Sequence, residues 1–315
     1  MKIFITSCIP EIGISLLQKK YNVKVYNKPG PISRKQLIKE VKHCDGIISL
    51  LTDKIDKEVI DSMPNCKVIA NYAVGFNNID VNYAKSKGII VTNTPDVLTD
   101  STADLAIALA LACARRFVEG EQMMRKNKFK GWHPKLLLGM ELNNKFFGIL
   151  GAGRIGSATA IRAASFGCKI LYYSNKRNEG LERKTGAKKV MLNTLLKISD
   201  IVSIHLPLNI KTNQLLSKDK LELLKPSSIL INTARGEIVD EKHLIKMLRS
   251  RKIFAAGFDV FDNEPNVNPA LLNLKNAVLL PHVGSATNDA RNAMSLLTAK
   301  NIDAVLSGKT PITPV

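Results

Sequence analysis

One pattern runs the length of the chain and restricts its fold more than any other feature: short apolar runs bounded by turn residues alternate with stretches of helical periodicity. "KIFIT" is followed by "EIGISLLQKK", "NVKVYN" by "SRKQLIKEVKH", and then come "DGIISLL", "KVIANYA" and "GIIVTNT". Parallel strands need a crossover about as long as a helix, so this alternation predicts parallel sheets covered by helices. A long apolar helix over about 101–126 follows. A second set then begins with "FFGILGAGRIG", "CKILYYS", "DIVSIHLP", "SSILINTARG", "IFAAGFDV" and "NAVLLPHVG". These runs are almost continuously apolar, as strands buried on both faces are. A last helix, about 288–306, has no companion after it and is expected to return to the first set.

The 315 residues suffice for two cores. The fold class expected is α/β: two Rossmann-like or flavodoxin-like doubly wound parallel-sheet domains with a cleft between them. Residues 1–97 plus 287–315 form one and residues 98–286 the other, with the first boundary at the Pro95–Asp96 turn.

Composition excludes several classes. The most apolar stretch, Ala103 to Ala114, carries Asp104 and is too short to span a bilayer. "MKIFITSC" reads as a strand and lacks the apolar core and cleavage site of a secretory signal, so a cytoplasmic protein is expected. Five cysteines, Cys8, Cys44, Cys66, Cys113 and Cys168, fall in no CxxC or Cys/His spacing. They read as buried thiols, with no metal site. The net charge of +19 would draw polyanions. Its lysines are spread evenly without aromatic interleaving, so general solvation is expected and no specific nucleic acid.

"GILGAGRIG" sets Gly151, Gly153 and Gly156 as GxGxxG between a strand and a helix. Such a turn lets backbone approach a pyrophosphate, and the N–H groups at the helix start, at Arg154 and Ile155, face its charge. The next strand ends at Ser174, Asn175, Lys176 and Arg177. An acidic residue at that point accepts the ribose 2'-hydroxyl of NAD and repels the 2'-phosphate of NADP. Here an amide and two cations stand instead, which points to NADP, with NAD possible. Three further strand ends finish in Arg235, Glu264 and His282. Ligands of doubly wound sheets bind outside the carboxyl ends of the strands, so these three are expected to converge on one crevice.

At these residues the sequence resembles the D-isomer-specific 2-hydroxyacid dehydrogenases, and within them the glyoxylate/hydroxypyruvate reductases. The resemblance spans essentially the whole chain through "NYAVGFNNIDV", "VTNTPDVLTDSTADLA", "WHPKLLLG", "GILGAGRIG", "ILINTARGEIVD", "AGFDVFDNEP" and "LLPHVGSAT". It implies that residues 98–286 bind the dinucleotide and the remainder binds substrate, with closure of one domain on the other. His282 would donate a proton to the substrate carbonyl as hydride arrives from the nicotinamide, Glu264 would orient His282, and Arg235 would grip the α-carboxylate.

By the same resemblance Val74 and Gly75 supply backbone N–H groups to that carboxylate. Leu50 and Leu51 form an apolar wall, and Ser285 and Trp132 reach the substrate. Trp132 would do so from the partner of a homodimer, the alternative being core packing. Thr233, Ala234, Asp259 and Gly284 would line the nicotinamide end, and Leu206 and Pro207 the adenine; His205 reads as structural. Two departures stand out: Asn175 replaces the arginine of NADP-using relatives, and the chain lacks the regulatory domain of longer phosphoglycerate dehydrogenases. The implied reaction is reduction of glyoxylate or hydroxypyruvate to glycolate or D-glycerate. The rivals are a D-lactate or 3-phosphoglycerate dehydrogenase and a non-catalytic corepressor-like NAD(H) sensor.

Overall fold

The first of two units comprises Met1–Leu98 and Ser285–Val315 of the computed structural model, which describes all 315 residues. Five strands form its sheet: β1 (Lys2–Ile5), β2 (Asn22–Val25), β3 (Gly46–Ser49), β4 (Val68–Asn71) and β5 (Ile90–Thr92). All neighbours are parallel, in the order β2-β1-β3-β4-β5. This is the flavodoxin-like order, whose switch point lies between β1 and β3. The central β3 and β4 are buried along their whole length, which accounts for their unbroken apolar character, while the edge strand β2 alternates between exposed and half-buried.

Polar caps begin the helices of this unit. Ser33, Asp56, Asp80 and Thr287 each accept a backbone N–H three residues on, satisfying a donor the helix leaves unpaired. The final helix, Asn288–Leu306, packs on the helix Glu11–Gln18. Gly13 makes this possible, because a Cβ there would stand 2.3 Å from the Ser295 carbonyl oxygen.

The second unit, Thr99–Gly284, holds seven parallel strands. They are β6 (Phe146–Leu150), β7 (Lys169–Tyr173), β8 (Lys188–Lys189), β9 (Ile201–Ile204), β10 (Ile229–Asn232), β11 (Ala255–Phe258) and β12 (Ala277–Leu279). Their order, β12-β11-β10-β9-β6-β7-β8, is the Rossmann order with a seventh strand added. Alternate residues of one strand feed opposite faces of the sheet: Ile149, Ile201 and Ile231 join one core cluster, Leu150, Val202 and Leu230 the other. Each such burial contributes about 1.5–3 kcal/mol.

Three expectations need correction. The helix predicted over 101–126 is two helices, Thr99–Ala114 and Phe117–Arg125. Arg116 adopts a left-handed conformation (φ 53°), and the chain at Gly139 and Met140 presses against the helix end, where the Met140 N–H takes the Ala114 carbonyl at 2.8 Å. The edge strand β8 was not foreseen, since both of its lysines are exposed and leave no apolar run. Cys8 is exposed, whereas the other four cysteines are buried free thiols. Burial pushes Cys44 and Cys168 up to about 11 and Cys66 to about 12. No helix is long and apolar enough to cross a membrane.

Candidate active site

The glycine turn is built by close approach. Gly151 has φ 99°, and a Cβ on it would meet the His205 carbonyl oxygen at 2.6 Å; a Cβ on Gly156 would lie 1.9 Å from the Gly151 carbonyl oxygen. Around Gly153, by contrast, a Cβ would meet nothing within 4 Å. The turn is therefore crowded on its inner side and bare on its outer side, where Gly153 caps the helix Arg154–Ser165. A helix start, whose first N–H groups have no partner within the helix, with open space above it suits a pyrophosphate. His205, under the turn, shares a proton with Ser203 Oγ at 2.8 Å, and burial pushes it down to about 3. It is neutral and structural. Leu206 is half-buried and Pro207 exposed beside it.

The loop after β7 differs from its sequence reading. Arg177 does not stand free: its Nε and Nη2 reach Glu182 Oε2 at 2.8 and 2.7 Å. Tyr172 donates to Glu182 Oε1 at 2.6 Å and itself accepts the Asn178 N–H. Glu179, the first acid after this loop, faces Arg183. Ser174 is half-buried, Asn175 and Lys176 are exposed, and the Asn175 carbonyl accepts Lys189 Nζ at 3.2 Å. Asn178, missed in the sequence, ties this loop to the glycine turn by donating to Ala152 O at 2.9 Å and Ser157 Oγ at 3.0 Å. Its only sequence signal was an asparagine before an acid-led helix.

At the carboxyl ends of β10, β11 and β12 the three catalytic candidates come together. His282 Nδ1 and Glu264 Oε2 are 2.7 Å apart. The other Glu264 oxygen accepts the Phe261 N–H at 2.9 Å, so both ends of the carboxylate are fixed. Burial works to raise the Glu264 carboxyl, but the bond and charge of His282 outweigh it and hold it below the ordinary range. Arg235 feels the Glu264 charge as well, though burial is the largest influence on it and lowers its pKa from a value too high for the loss of a proton. Its Nη1 donates to Ala234 O at 2.7 Å, and Asn232 Nδ2 holds the Arg235 carbonyl at 2.8 Å.

The turn after Arg235 can pack against the loop leading to Glu264 because residue 236 is glycine. A Cβ there would lie 2.0 Å from the Phe261 carbonyl carbon. His282 itself has φ 53°, an unusual backbone for a non-glycine residue. Asp259, 1% exposed, holds it: its two oxygens accept the N–H groups of Val283 and Gly284, each at 2.7 Å. Burial raises the Asp259 pKa against the pull of those donors. Thr233 Oγ1 is buried without a hydrogen-bond partner beside half-buried Ala234, leaving a polar group for a bound molecule to satisfy.

In the first unit, the chain after β4 turns with three consecutive carbonyls facing inward. Ala73 O accepts Thr94 N–H at 2.9 Å, Val74 O accepts Asn93 Nδ2 at 2.8 Å, and Gly75 O accepts Asn71 Nδ2 at 2.7 Å. A trans peptide sets its N–H opposite its carbonyl, so the N–H groups of Val74, Gly75 and Phe76 face the other way. None of them donates within the unit. Leu50 and Leu51, half-buried, follow β3, and the Leu50 carbonyl is held by Asn78 Nδ2 at 3.0 Å. Ser285 opens the returning segment of this unit. Trp132, in an irregular stretch of the second unit, is 83% exposed, which disposes of core packing within the chain.

A Rossmann sheet with a bare phosphate turn, and a carboxylate-braced imidazole beside an arginine at the same edge, defines a class: oxidoreductases that pass hydride between a nicotinamide and a carbonyl carbon. The residues present fit such a cofactor, at Gly153 through open space and at Thr233 through an unmet polar atom. The family model for the D-isomer specific 2-hydroxyacid dehydrogenase, NAD binding domain, matches residues 107–284. The chain belongs to that family.

Among its relatives, a glyoxylate reductase of Thermococcus litoralis is 48% identical over 98% of this chain and 95% of its own. Another, of Pyrococcus furiosus, is 46% identical over 100% and 95%. Among solved structures, a Thermus thermophilus protein superposes with a TM-score of 0.94 at 40% identity, covering all of both chains. The NADPH-dependent glyoxylate/hydroxypyruvate reductase of Sinorhizobium meliloti, in complex with NADP and malonate, gives 0.88 at 34% identity over 100% of this chain and 96% of its own.

Proposed function

We propose that this protein reduces a small 2-oxo acid, glyoxylate or hydroxypyruvate, to glycolate or D-glycerate, in the cytoplasm and with NADPH preferred over NADH. The observation that carries the reading is the 2.7 Å contact between His282 Nδ1 and Glu264 Oε2. With Nδ1 engaged, Nε2 is left to hold the proton that the carbonyl oxygen takes up, and the carboxylate gives the imidazolium a counter-charge. The nicotinamide supplies the hydride. Arg235 holds the α-carboxylate in a two-pronged grip and draws electron density from the neighbouring carbonyl. The amides of Val74 and Gly75 serve the same carboxylate, and Leu51, Ser285 and Trp132 bound the substituent.

Gly151, Gly153, Arg154, Ile155 and Gly156 hold the pyrophosphate, Leu206 and Pro207 the adenine, and Thr233, Ala234, Asp259 and Gly284 the nicotinamide end. Ser174, Asn175 and Lys176 meet the 2'-phosphate. Arg177 joins them only by loosening its bond to Glu182, which is why NADH remains an acceptable second cofactor. The protein is a homodimer in this reading: Phe117, Met124, Phe129, Trp132 and Leu138 are exposed apolar side chains gathered in one stretch.

Initial rates with glyoxylate, hydroxypyruvate and pyruvate, each against NADPH and NADH, test the proposal. Turnover fastest on one of the first two acids with NADPH is expected; cofactor binding with negligible turnover on all three would overturn it. Light scattering of the native protein checks the dimer, and a monomer at working concentration would contradict it.

A further inference from the structure

Two buried asparagines, Asn71 and Asn93, sit at the ends of β4 and β5 with side chains 0% and 8% exposed. A buried amide is costly unless its hydrogen bonds are made, so what these two bond to describes their work. Neither supports the ladder of its own strand through its side chain. Asn71 Nδ2 donates to Gly75 O and Asn93 Nδ2 to Val74 O, at 2.7 and 2.8 Å. These are adjacent peptides of one irregular turn. Free peptides in such a turn can rotate their planes at little cost, and rotation would swing N–H inward and carbonyl outward. An outward carbonyl would repel an anion.

We infer that Asn71 and Asn93 are positioning residues for the substrate carboxylate: by holding the peptides after Val74 and Gly75 they aim the N–H groups of Gly75 and Phe76 outward, and these complete an anion cradle with the Val74 N–H, whose own peptide is held by Thr94 at Ala73 O. The inference rests on the 2-oxo acid reading for its ligand, but the cradle itself is a property of this turn. Both asparagines are themselves held, Asn71 through its side chain and Asn93 through its backbone. Asn71 Oδ1 accepts Ser49 Oγ at 3.3 Å and Asn78 Nδ2 at 3.4 Å, which directs its nitrogen to Gly75. Asn93 is gripped through its backbone, its N–H on Thr313 O at 3.2 Å and its carbonyl on Thr313 Oγ1 at 2.6 Å. Asn78 extends the tie to the wall loop, donating to Leu50 O at 3.0 Å and Asp53 O at 3.1 Å. The apolar wall and the cradle are thus fastened to one another.

The test is Asn93→Ala in the full-length protein, with Asn93→Ser as a milder variant should the first not fold. Turnover gives kcat and the KM values for glyoxylate and for NADPH, and beside them is measured the affinity of the NADP-bound protein for oxalate, an unreactive anion of similar size. Losing one hydrogen bond and the orientation it sets should raise KM for glyoxylate and weaken oxalate by up to about tenfold. KM for NADPH should stay within about twofold, and kcat should fall less than KM rises. Oxalate bound as tightly by the variant as by the natural protein would overturn the inference, as would an equal loss for oxalate and cofactor. A natural protein that binds oxalate yet reduces none of the acids would overturn the functional reading and leave the cradle standing.

Discussion

Two loops at the same edge of the Rossmann sheet are built on opposite terms. Around His282 two carboxylates are each engaged through both oxygens: Glu264 by His282 and the Phe261 N–H, and Asp259 by the N–H groups of Val283 and Gly284. After β7, Lys176 is exposed and Arg177 is turned aside to Glu182. Proton and hydride transfer tolerate little displacement, and this end is braced by carboxylates bonded through both oxygens. Choosing between two cofactors needs only a local charge, and that end is left exposed, adjustable and half neutralised by its own helix. On the proposed reading, rigidity is concentrated where atoms react and cofactor choice is kept on the surface.

The comparison breaks most visibly at His282. His282→Asn should lower kcat by about 100-fold to 10,000-fold while the cofactor dissociation constant is nearly unchanged; stopped-flow turnover with cofactor titration measures both. Arg235→Gln comes next. Removing one member of a desolvated charge contact costs about 2–5 kcal/mol, so kcat/KM for glyoxylate should fall at least about 30-fold with NADPH binding preserved.

At the loose end the effects are smaller and selective. Lys176→Ala should raise KM for NADPH by about tenfold and leave KM for NADH alone. Glu182→Gln should release Arg177 and move NADPH affinity the other way, upward. Kinetics with both cofactors check the pair, and a change shared equally by NADH would count against phosphate recognition at this loop.

The smallest effect is in stability against pH. The Glu264 carboxyl is held below its ordinary value of 4.5, so its contribution is complete above that value and is lost as pH falls through the lower, folded one. Asp53 and Asp259 are raised by burial and act with the opposite sign, since acid relieves the cost of their buried charges. Denaturant midpoints across the acid range should therefore fall less steeply for Glu264→Gln than for the natural protein.

The same contrast explains what could be read from the sequence. Gly151, Gly153 and Gly156 were legible because a tight turn admits few other residues, and Arg235, Glu264 and His282 because each follows a strand at a fixed edge. Strand existence was legible wherever both faces are buried, and failed at β8, where Lys188 and Lys189 bury nothing. The break at Arg116 was invisible because apolar spacing continues across it, and only the return of Gly139 and Met140 forces it. Apart from the Glu264–His282 pair, which the family resemblance implied, partnerships between side chains were beyond reach. That Glu182 would claim Arg177, or that Asn71 and Asn93 would meet neighbouring carbonyls, depends on where helices and turns land in space.

The most direct measurement follows the hydride itself. With NADPH deuterated at the transferring position, the protein should deliver deuterium to carbon 2 of glycolate made from glyoxylate, and His282→Asn should bind the same labelled cofactor and deliver almost none. Glycolate formed without label, or label transferred at equal rates by both proteins, would contradict the account.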